Sequence, residues 1–443
     1  VFTAMLLLSA IGATAQNPII RDQFTADPTA RVFNNKVYLY PSHDIKPPVG
    51  QRQDWFCMED YHVFSSENLT DWTDHGMIVT QNKVPWVRPD SYSMWAPDCV
   101  EKDGKYYFYF PNASKTGGFA VGVAVADSPE GPFVCEPEPI KGINGIDPCV
   151  LLASDGNAYI FWGNGRCAKL KDNMKELADD NPREMVKWGP HEFEMVGVNC
   201  LKDLPNRQAE GPFAFEYNGN YYLTYPYVRE NTEVLGYAMS KNPMGPYEYK
   251  GIIMAEHENG CWTNHHSIVK YKGQWYLFYH HNAFSPDFDK NRSAQIERLY
   301  FNEDGTIREV KPTMRGVGPV KASHKIHIDR YSSMEGARIE YLDTSDYFKG
   351  WKTVFANAGD YVAFNAVDFG KEAPKNLTIR VKAAADASLE VVAGKTVVKT
   401  DVAKTEDWAE VSFPMPAKVK GMQNITVRLK TDADVEVDWI TFK

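Results

Sequence analysis

One strand–turn–strand unit occurs five times in the first two-thirds of this 443-residue chain. Each copy has an apolar strand, a short polar turn with Gly or Asn, and a second strand rich in aromatic residues, as in "ARVFNNKVYLY". Gly and Asn readily adopt the positive φ angles of tight hairpin turns, so each copy is predicted to be a β-hairpin. The five turns are centred on Asn34, Asp103, Asp155, Asn218 and Lys272.

The spacing between these turns is irregular, at 69, 52, 63 and 54 residues. A constant core with variable spacing indicates one supersecondary unit repeated with insertions in its loops. Radial repetition leaves few exposed sheet edges, so five such units predict a five-bladed β-propeller. We assign residues 17–310 to this domain. A short helix is expected only in "DNMKELADDN", residues 172–181.

The sequence changes character after residue 310. The segment "VKPTMRGVGPVKASHK" mixes Pro, Gly and Lys and is typical of a domain boundary. Residues 325–443 contain no cysteine and hold short alternating strands, such as "NLTIRVKAA" and "VEVDWITF". Regular short strands over this length predict a β-sandwich (jelly roll), which makes the whole chain all-β.

Composition and charge restrict the function. The net charge of −10 argues against nucleic-acid binding, which requires a basic surface. No stretch of 18 apolar residues exists, so no transmembrane helix is predicted. Seven cysteines without a C-x-x-C pair indicate neither a zinc site nor a clear disulfide framework. A short apolar run followed by Ala13-Thr14-Ala15 is typical of a secretory signal, so we interpret residues 1–15 as part of one and expect a secreted or periplasmic protein.

A polar residue precedes each hairpin turn at nearly the same distance. Asp27, Asp98, Asp147, Glu210 and His265 lie five to eight residues before their turns. In a propeller the innermost strands begin near the axis, so residues at one phase of successive blades are expected to converge. A single Asp-Pro step is usually only a turn. Converging carboxylates in a desolvated site cost free energy and usually indicate chemistry.

Hydrolysis of a glycosidic bond typically uses two carboxyl groups. One protonated carboxyl donates a proton to the leaving oxygen, and one carboxylate activates water or attacks carbon. A third carboxylate would raise the pKa of the acid by repulsion. Aromatic residues at strand ends, including Trp95 and Trp162, suit stacking on a sugar. An axial His265 could bind a metal or hydrogen-bond a neighbouring blade.

Six motifs in order resemble glycoside hydrolase family 43, closest to its arabinoxylan arabinofuranohydrolase and β-xylosidase branches. The resemblance covers residues 24–310 and rests on "FTADPTA", "MWAPD", "GIDPCVLLASDGNAYIFWGN", "AEGPF", "TNHHSIV" and "NRSAQIERLYFNEDGTI". It implies a five-bladed propeller, an inverting mechanism, a plant cell-wall polysaccharide or oligosaccharide as partner, and no organic cofactor.

The resemblance also implies individual roles. By it, Asp27 is the general base, Asp147 modulates the pKa of the acid, and Glu210 is the general acid. His265 is similar to the axial residue that faces a bound calcium ion through water. Residues expected to line the sugar pocket are Trp95, Asn164, Asn264 and Arg292.

The C-terminal segment resembles carbohydrate-binding module family 6, with "NAGDYVAFNAVDFG" and "VDWITF" at its matching strands. The resemblance leaves Asp329 and Asp438 as possible calcium ligands. Phe355 stands where the family has a cleft tyrosine, and Thr405 where it has a tryptophan. We therefore expect little sugar binding through the usual cleft.

The leading hypothesis is an exported, inverting glycoside hydrolase that releases α-L-arabinofuranosyl residues from arabinoxylan- or arabinan-type hemicellulose. A β-D-xylosidase is the near alternative, because both sugars present similar groups to one pocket. A non-catalytic sugar-binding propeller is disfavoured by the acid trio. A fructan-active enzyme is disfavoured by "IDP" and "TNHH".

Overall fold

The computed structural model describes residues 17–201, 209–257, 261–282, 285, 288–345 and 349–443. The predicted signal segment, residues 1–15, lies outside the described residues. The chain divides into two compact units, one formed by residues 18–67 and 72–312 and the other chiefly by residues 313–443. Among the described residues, no helix has the length and apolar character needed to cross a membrane.

In the described residues, the first unit contains five antiparallel sheets and one extra hairpin inserted within the third. The first sheet consists of β1 (Phe24–Phe33), β2 (Lys36–Asp44), β3 (Met58–Ser66) and β4 (Thr73–Thr80), and the second of β5 (Asp98–Lys102), β6 (Lys105–Ala113), β7 (Phe119–Ala126) and β8 (Val134–Cys135). The third consists of β9 (Cys149–Leu152), β10 (Ala158–Trp162), β11 (Arg166–Lys169) and β14 (Val198–Asn199), and the extra hairpin, β12 (Arg183–Trp188) and β13 (His191–Val196), lies between β11 and β14 in the chain. The fourth consists of β15 (Phe213–Tyr217), β16 (Asn220–Val228), β17 (Glu233–Ser240) and β18 (Glu248–Met254), and the fifth of β19 (His266–Tyr271), β20 (Gln274–His281) and β21 (Ser293–Leu299).

All five predicted hairpins are confirmed. They join β1 to β2, β5 to β6, β9 to β10, β15 to β16 and β19 to β20. Four of the turn residues have a positive φ, between 46° and 54°, and in the remaining hairpin the glycine supplies it, at 85°. The local turn chemistry therefore determines these connections. The residues with positive φ are Asn34, Asp103, Asn218, Lys272 and Gly156.

The helix predicted over residues 172–181 is wrong. The segment forms turns, with one isolated bridge between Leu170 and Leu177. Met174 has a φ of 61° and is fully buried in the apolar core. A left-handed residue interrupts a right-handed helix, so burying Met174 prevails over local helix propensity. A short 3-10 turn is formed by Gln81–Lys83.

The first strands of the five sheets lie side by side in cyclic order, from β1 through β5, β9, β15 and β19 back to β1. Side chains link them to neighbouring backbone. The Thr29 hydroxyl donates to the Pro97 carbonyl (2.6 Å), and the Ser267 hydroxyl donates to the Pro28 carbonyl (2.6 Å). The segments entering these strands are thereby brought to one place.

The second unit contains two six-stranded sheets that enclose one apolar core, as in a β-sandwich. In β28 (Asn376–Ala383), Leu377, Ile379 and Val381 are buried and alternate with more exposed residues, as the sequence pattern predicts. The first sheet consists of β22 (Val320–Lys321), β24 (Ser333–Glu335), β27 (Tyr361–Asp368), β29 (Ala387–Ala393), β30 (Thr396–Val402) and β32 (Met422–Leu429), and the second of β23 (Ile326–His327), β25 (Arg338–Tyr341), β26 (Trp351–Phe355), β28 (Asn376–Ala383), β31 (Ala409–Pro414) and β33 (Val435–Phe442).

Candidate active site

A pocket of about 150 Å³ lies in the first unit, where the segments entering the first strands meet. Its walls combine carboxyl groups with one arginine, one histidine and several aromatic rings. Six of the residues predicted from the sequence contribute to its lining: Asp27, Trp95, Asp147, Glu210, His265 and Arg292.

Asp27 is directed into this pocket by a β-bulge. The register between β1 and β2 shifts between Ala26 and Thr29, and Asp27 has a φ of 46°. Its backbone N–H leaves the strand ladder and donates to His280 Nδ1 (3.1 Å). Bulges beside functional sites redirect a side chain in this way, and the Asp-Pro step supplies the extra residue.

The Asp27 carboxylate is held in its ionised form. Burial alone would raise its pKa, but the Arg292 guanidinium, with Nη1 3.1 Å from Asp27 Oδ1, lowers the pKa well below the ordinary value. Ser42 also donates its hydroxyl to Asp27 Oδ2 (2.8 Å). With these partners the Asp27 carboxylate stays ionised, so it is free to accept a proton during a reaction.

His280 supports Asp27 as a neutral side chain. Burial lowers its pKa. Because its Nδ1 accepts the Asp27 N–H, its proton is on Nε2, which lies 2.9 Å from the Thr263 hydroxyl.

Asp44 anchors the arginine. Arg292 donates from Nε to Asp44 Oδ2 and from Nη2 to Asp44 Oδ1, both at 2.9 Å, in a fully buried bidentate pair. This fork leaves Nη1 to reach Asp27. Sequence reasoning missed Asp44, since 248 residues separate it from its partner.

Asp147 has the same left-handed backbone as Asp27, with a φ of 58°. Its Oδ2 accepts the backbone N–H of Gly211 (3.1 Å). Burial first, and then repulsion by Glu210 and Asp27, raise the pKa of Asp147 well above its ordinary value. Gly211 has a φ of 52°, and a Cβ there would lie 2.8 Å from the His265 ring, so only glycine fits this approach.

Glu210 is hydrogen-bonded to a second carboxyl group that sequence reasoning missed, Glu233. Glu233 is almost completely buried at the start of β17, and its Oε2 accepts the Asn264 N–H (2.9 Å). Burial and the charge of Glu210 raise the pKa of Glu233 well above its ordinary value. Burial also raises the pKa of Glu210, although the hydrogen bond from Glu233 opposes this. Burial thus raises the pKa of Glu210, whereas Arg292 outweighs burial at Asp27, so Glu210 keeps its proton at a pH where Asp27 is ionised.

Other predicted residues have different positions. Asn164 lies in an exposed turn between β10 and β11 and does not line the pocket. Asn264 is fully buried and does not line the pocket either. Trp162 is buried in an apolar core shared by the second and third sheets, which excludes stacking on a sugar. Two tryptophans that no sequence signal indicated, Trp55 and Trp262, line the pocket and are 38% and 40% exposed.

The converging residue of the second sheet has a structural role. Asp98 is buried and paired with Arg31 (Nη2 to Oδ2, 2.6 Å). Its Oδ2 also accepts the Val150 N–H (2.6 Å), so it links β1, β5 and β9. Asp98 therefore has the same position in the repeat as Asp27, Asp147 and Glu210, but its side chain is in a different environment.

Sequence comparison now identifies the family. The model described as "Glycosyl hydrolases family 43" matches residues 15–307, about two-thirds of the chain. The chain belongs to glycosyl hydrolase family 43. A second model, "Carbohydrate binding module (family 6)", matches residues 329–443. The chain is accordingly a glycoside hydrolase with a family 6 module at its C-terminal side.

Several relatives of this family 43 enzyme have been named. It is 38% identical over 335 residues to a "Xylosidase/arabinosidase 43A" of Humicola insolens, covering 67% of this chain and 99% of that protein. It is 28% identical over 453 residues to an "Arabinoxylan arabinofuranohydrolase" of Bacillus subtilis (strain 168), covering 89% and 85%. A solved β-xylosidase/α-arabinofuranosidase from a compost microbial metagenome, in complex with xylotriose and in a calcium-free form, shares 34% identity with a TM-score of 0.58, covering 68% and 98%.

The residues around His265 of this family 43 enzyme do not supply the oxygen ligands that a calcium ion there would need. His265 is buried, which lowers its pKa to about 4, and its Nδ1 lies 3.9 Å from Asp27 Oδ1. Calcium prefers six to eight oxygen ligands. Within the described residues, no group of three acidic, histidine or cysteine ligands converges on His265. A directly coordinated calcium does not fit these side chains, and calcium binding here stays a prediction.

In the family 6 module, the possible calcium ligands and the two cleft positions all make contacts within the protein. Asp329 Oδ2 lies 2.9 Å from Arg330 Nε, and Asp438 pairs with Arg380. Both carboxylates thus have arginine partners, and their calcium role stays a prediction. Phe355 is fully buried in the sandwich core, where it cannot stack on a sugar. The Thr405 hydroxyl accepts the Ala383 N–H (2.9 Å).

Proposed function

We propose that this enzyme is an exported, inverting hydrolase that releases α-L-arabinofuranosyl residues from arabinoxylan- or arabinan-type hemicellulose. The observation that carries the proposal is a contrast within one pocket. At Asp27 the Arg292 guanidinium outweighs burial and lowers the pKa, whereas burial raises the pKa of Glu210. Environments that separate the pKa values of two carboxyls assign one as base and the other as acid.

In the proposed reaction, Asp27 takes a proton from a water molecule as that water attacks the anomeric carbon. Glu210 donates its proton to the departing glycosidic oxygen. Asp147 keeps Glu210 protonated through mutual repulsion, and Glu233 orients Glu210 by donating a hydrogen bond to it. The water adds on the face opposite the leaving group, so the anomeric configuration inverts.

The size of the pocket supports action on a terminal sugar. About 150 Å³ is smaller than the roughly 300–1,000 Å³ of pockets that hold drug-sized ligands. We propose that it admits one pentose ring, with Trp55 and Trp262 at its border contacting the rest of the chain being cut.

A β-D-xylosidase activity is the second candidate. It is favoured by the name of the Humicola insolens protein, a xylosidase/arabinosidase that shares 38% identity with this chain. Arabinofuranose and xylopyranose present similar hydroxyl groups, so one pocket can accept both.

The proposal includes three structural expectations. The five sheets are the blades of one five-bladed propeller, which the cyclic order of their first strands supports. The two C-terminal sheets form a jelly roll. Export rests on the apolar run and small residues within residues 1–15.

The test is a panel of nitrophenyl α-L-arabinofuranoside, nitrophenyl β-D-xyloside, arabinan, arabinoxylan and xylooligosaccharides, with released sugars identified by chromatography. We expect arabinose from the first and from the polymers. Proton NMR of the first product formed should detect the inverted anomer. Release of no pentose from any substrate, or a first product with retained configuration, would contradict the proposal.

A further inference from the structure

A group of metal-binding side chains lies on the first sheet, outside the catalytic pocket. Strand β2 carries Ser42, His43 and Asp44 in succession, and neighbouring side chains of a strand point to opposite faces. Ser42 bonds Asp27, and Asp44 bonds Arg292, so both face the pocket. His43 points the other way.

On that opposite side, His43 meets two residues of β3. His43 Nδ1 lies 2.8 Å from Asp60 Oδ1, and the His43 and His62 rings are 5.4 Å apart between centroids. One ligand atom from each of His43, Asp60 and His62 lies within 4.8 Å of the others. Their side chains are 23%, 12% and 20% exposed, so an ion can reach them from solvent.

A fourth residue orients the second histidine. His62 Nδ1 lies 3.2 Å from both carboxylate oxygens of Asp74, on β4. A carboxylate on one ring nitrogen fixes the tautomer and leaves the other nitrogen, Nε2, to bind a metal. This carboxylate–histidine arrangement recurs around protein metal sites, and nothing in the proposed catalytic reaction uses it.

We propose that His43, Asp60 and His62 form a binding site for a divalent transition metal of the Zn²⁺ class. Two imidazoles and one carboxylate match the ligand preference of zinc, with water as the fourth ligand. Calcium and magnesium are disfavoured because they require mainly oxygen ligands.

Metal binding requires the three ligand atoms, which lie within 4.8 Å of one another, to adopt tetrahedral spacing. Two ligand atoms about 2.0–2.1 Å from a tetrahedral zinc lie about 3.3 Å apart. The Nδ1–Oδ1 contact of 2.8 Å between His43 and Asp60 would open by about half an ångström, which rotation of partly exposed side chains allows.

The site would join two strands that support the catalytic pocket. A bound ion links β2 to β3, and Asp74 extends the link to β4. Because an ion that binds only the folded state stabilises it by mass action, zinc should raise the unfolding temperature of the first unit.

The test uses the full chain, stripped of metal with EDTA, and titrated with ZnCl₂ by calorimetry. We expect one strong site per chain. His43→Ala and His62→Ala should each weaken binding at least tenfold, and Asp74→Asn by about 10- to 100-fold. His75→Ala is the matched control, since His75 lies on the same sheet but bonds the Ser65 hydroxyl, and it should bind as the unmodified chain does.

A second measurement needs no variant. Cu²⁺ added to the unmodified chain should give an electron paramagnetic resonance spectrum with two nitrogen ligands. The proposal is overturned if the unmodified chain binds no zinc, if binding survives both histidine substitutions, or if zinc binding is lost in His265→Ala while His43→Ala retains it.

Discussion

The carboxyl group of Glu233 is hydrogen-bonded to the carboxyl group of Glu210, and Glu233 is almost completely buried. Burial raises the pKa of Glu233 well above its ordinary value, so it holds the shared proton and acts as the donor. The bond lowers the pKa of Glu210 relative to what burial alone would give. In this arrangement, a buried neutral carboxyl keeps the acid oriented without making it too weak to donate.

This relationship leads to a prediction for two substitutions at one position. Glu233→Gln retains a donor of the same shape and should keep kcat within a few-fold. Glu233→Met removes the donor, and losing a hydrogen bond to a charged group should cost about 10- to 100-fold in kcat. The basic limb of its pH–rate profile should move to higher pH, because the pKa of Glu210 is no longer lowered. Equal losses in both variants would indicate that Glu233 transfers a proton instead.

We predict that Asp27→Asn lowers kcat by about 10²- to 10⁴-fold on every substrate, because the attacking water loses its general base. Ser42→Ala is the matched control. It removes one hydrogen bond to the same carboxylate but leaves the base in place, so its loss should stay below tenfold. Steady-state kinetics on a nitrophenyl glycoside would measure both, and Asp27→Asn activity near that of the unmodified enzyme would exclude Asp27 as base.

Glu210→Gln should separate substrates by their leaving groups. In a natural oligosaccharide the leaving group is a sugar hydroxyl, which departs poorly unless it receives a proton. Turnover of these substrates should therefore fall by about 10²- to 10⁴-fold. The leaving group of a dinitrophenyl glycoside is dinitrophenolate, which departs without a proton, so hydrolysis of this substrate should keep most of its rate. Comparing kcat for the two substrates measures the difference. Similar losses on both would rule out Glu210 as the acid.

Asp147→Asn should move the basic limb of the profile of kcat/KM to lower pH. Burial first, and then repulsion by Glu210, raises the pKa of Asp147. Because repulsion between two carboxylates is mutual, an ionised Asp147 disfavours loss of the proton from Glu210. A neutral amide removes that repulsion, so Glu210 loses its proton at lower pH and the active form disappears earlier. A limb that stays in place or moves upward would show that Asp147 does not tune the acid.

In the family 6 module, Phe355→Ala should destabilise the fold rather than alter sugar affinity. The ring is fully buried in the sandwich core, and removing a buried Phe side chain typically costs about 3–5 kcal/mol. Thermal unfolding should detect the loss, while affinity electrophoresis in xylan below the transition should show unchanged binding. Weaker xylan binding by a fully folded Phe355→Ala protein would place Phe355 in a sugar cleft.

Much of the architecture could be predicted from local sequence. Each hairpin turn requires a residue that tolerates positive φ, and Asn34, Asp103, Asn218 and Lys272 adopt it at the predicted positions. The alternation of "NLTIRVKA" likewise predicted which residues of β28 are buried. The helix predicted over residues 172–181 failed because burying Met174 depends on contacts from outside its own segment.

The candidate site divides in the same way. The sequence pattern places Asp27, Asp147, Glu210 and His265 at one phase of a repeat, because a repeated hairpin puts equivalent residues at equivalent ends of the strands.

The role of each polar group depends on its neighbours in the folded chain. Asp98 has the same phase as Asp27, yet Arg31 engages it in a structural pair, whereas Arg292 holds Asp27 at the pocket. Neither Asp44 nor Glu233 carries a signal in the sequence around it. The charge state of a buried carboxyl depends on which partners lie within a few ångströms, and those partners come from distant parts of the chain that only the folded structure brings together.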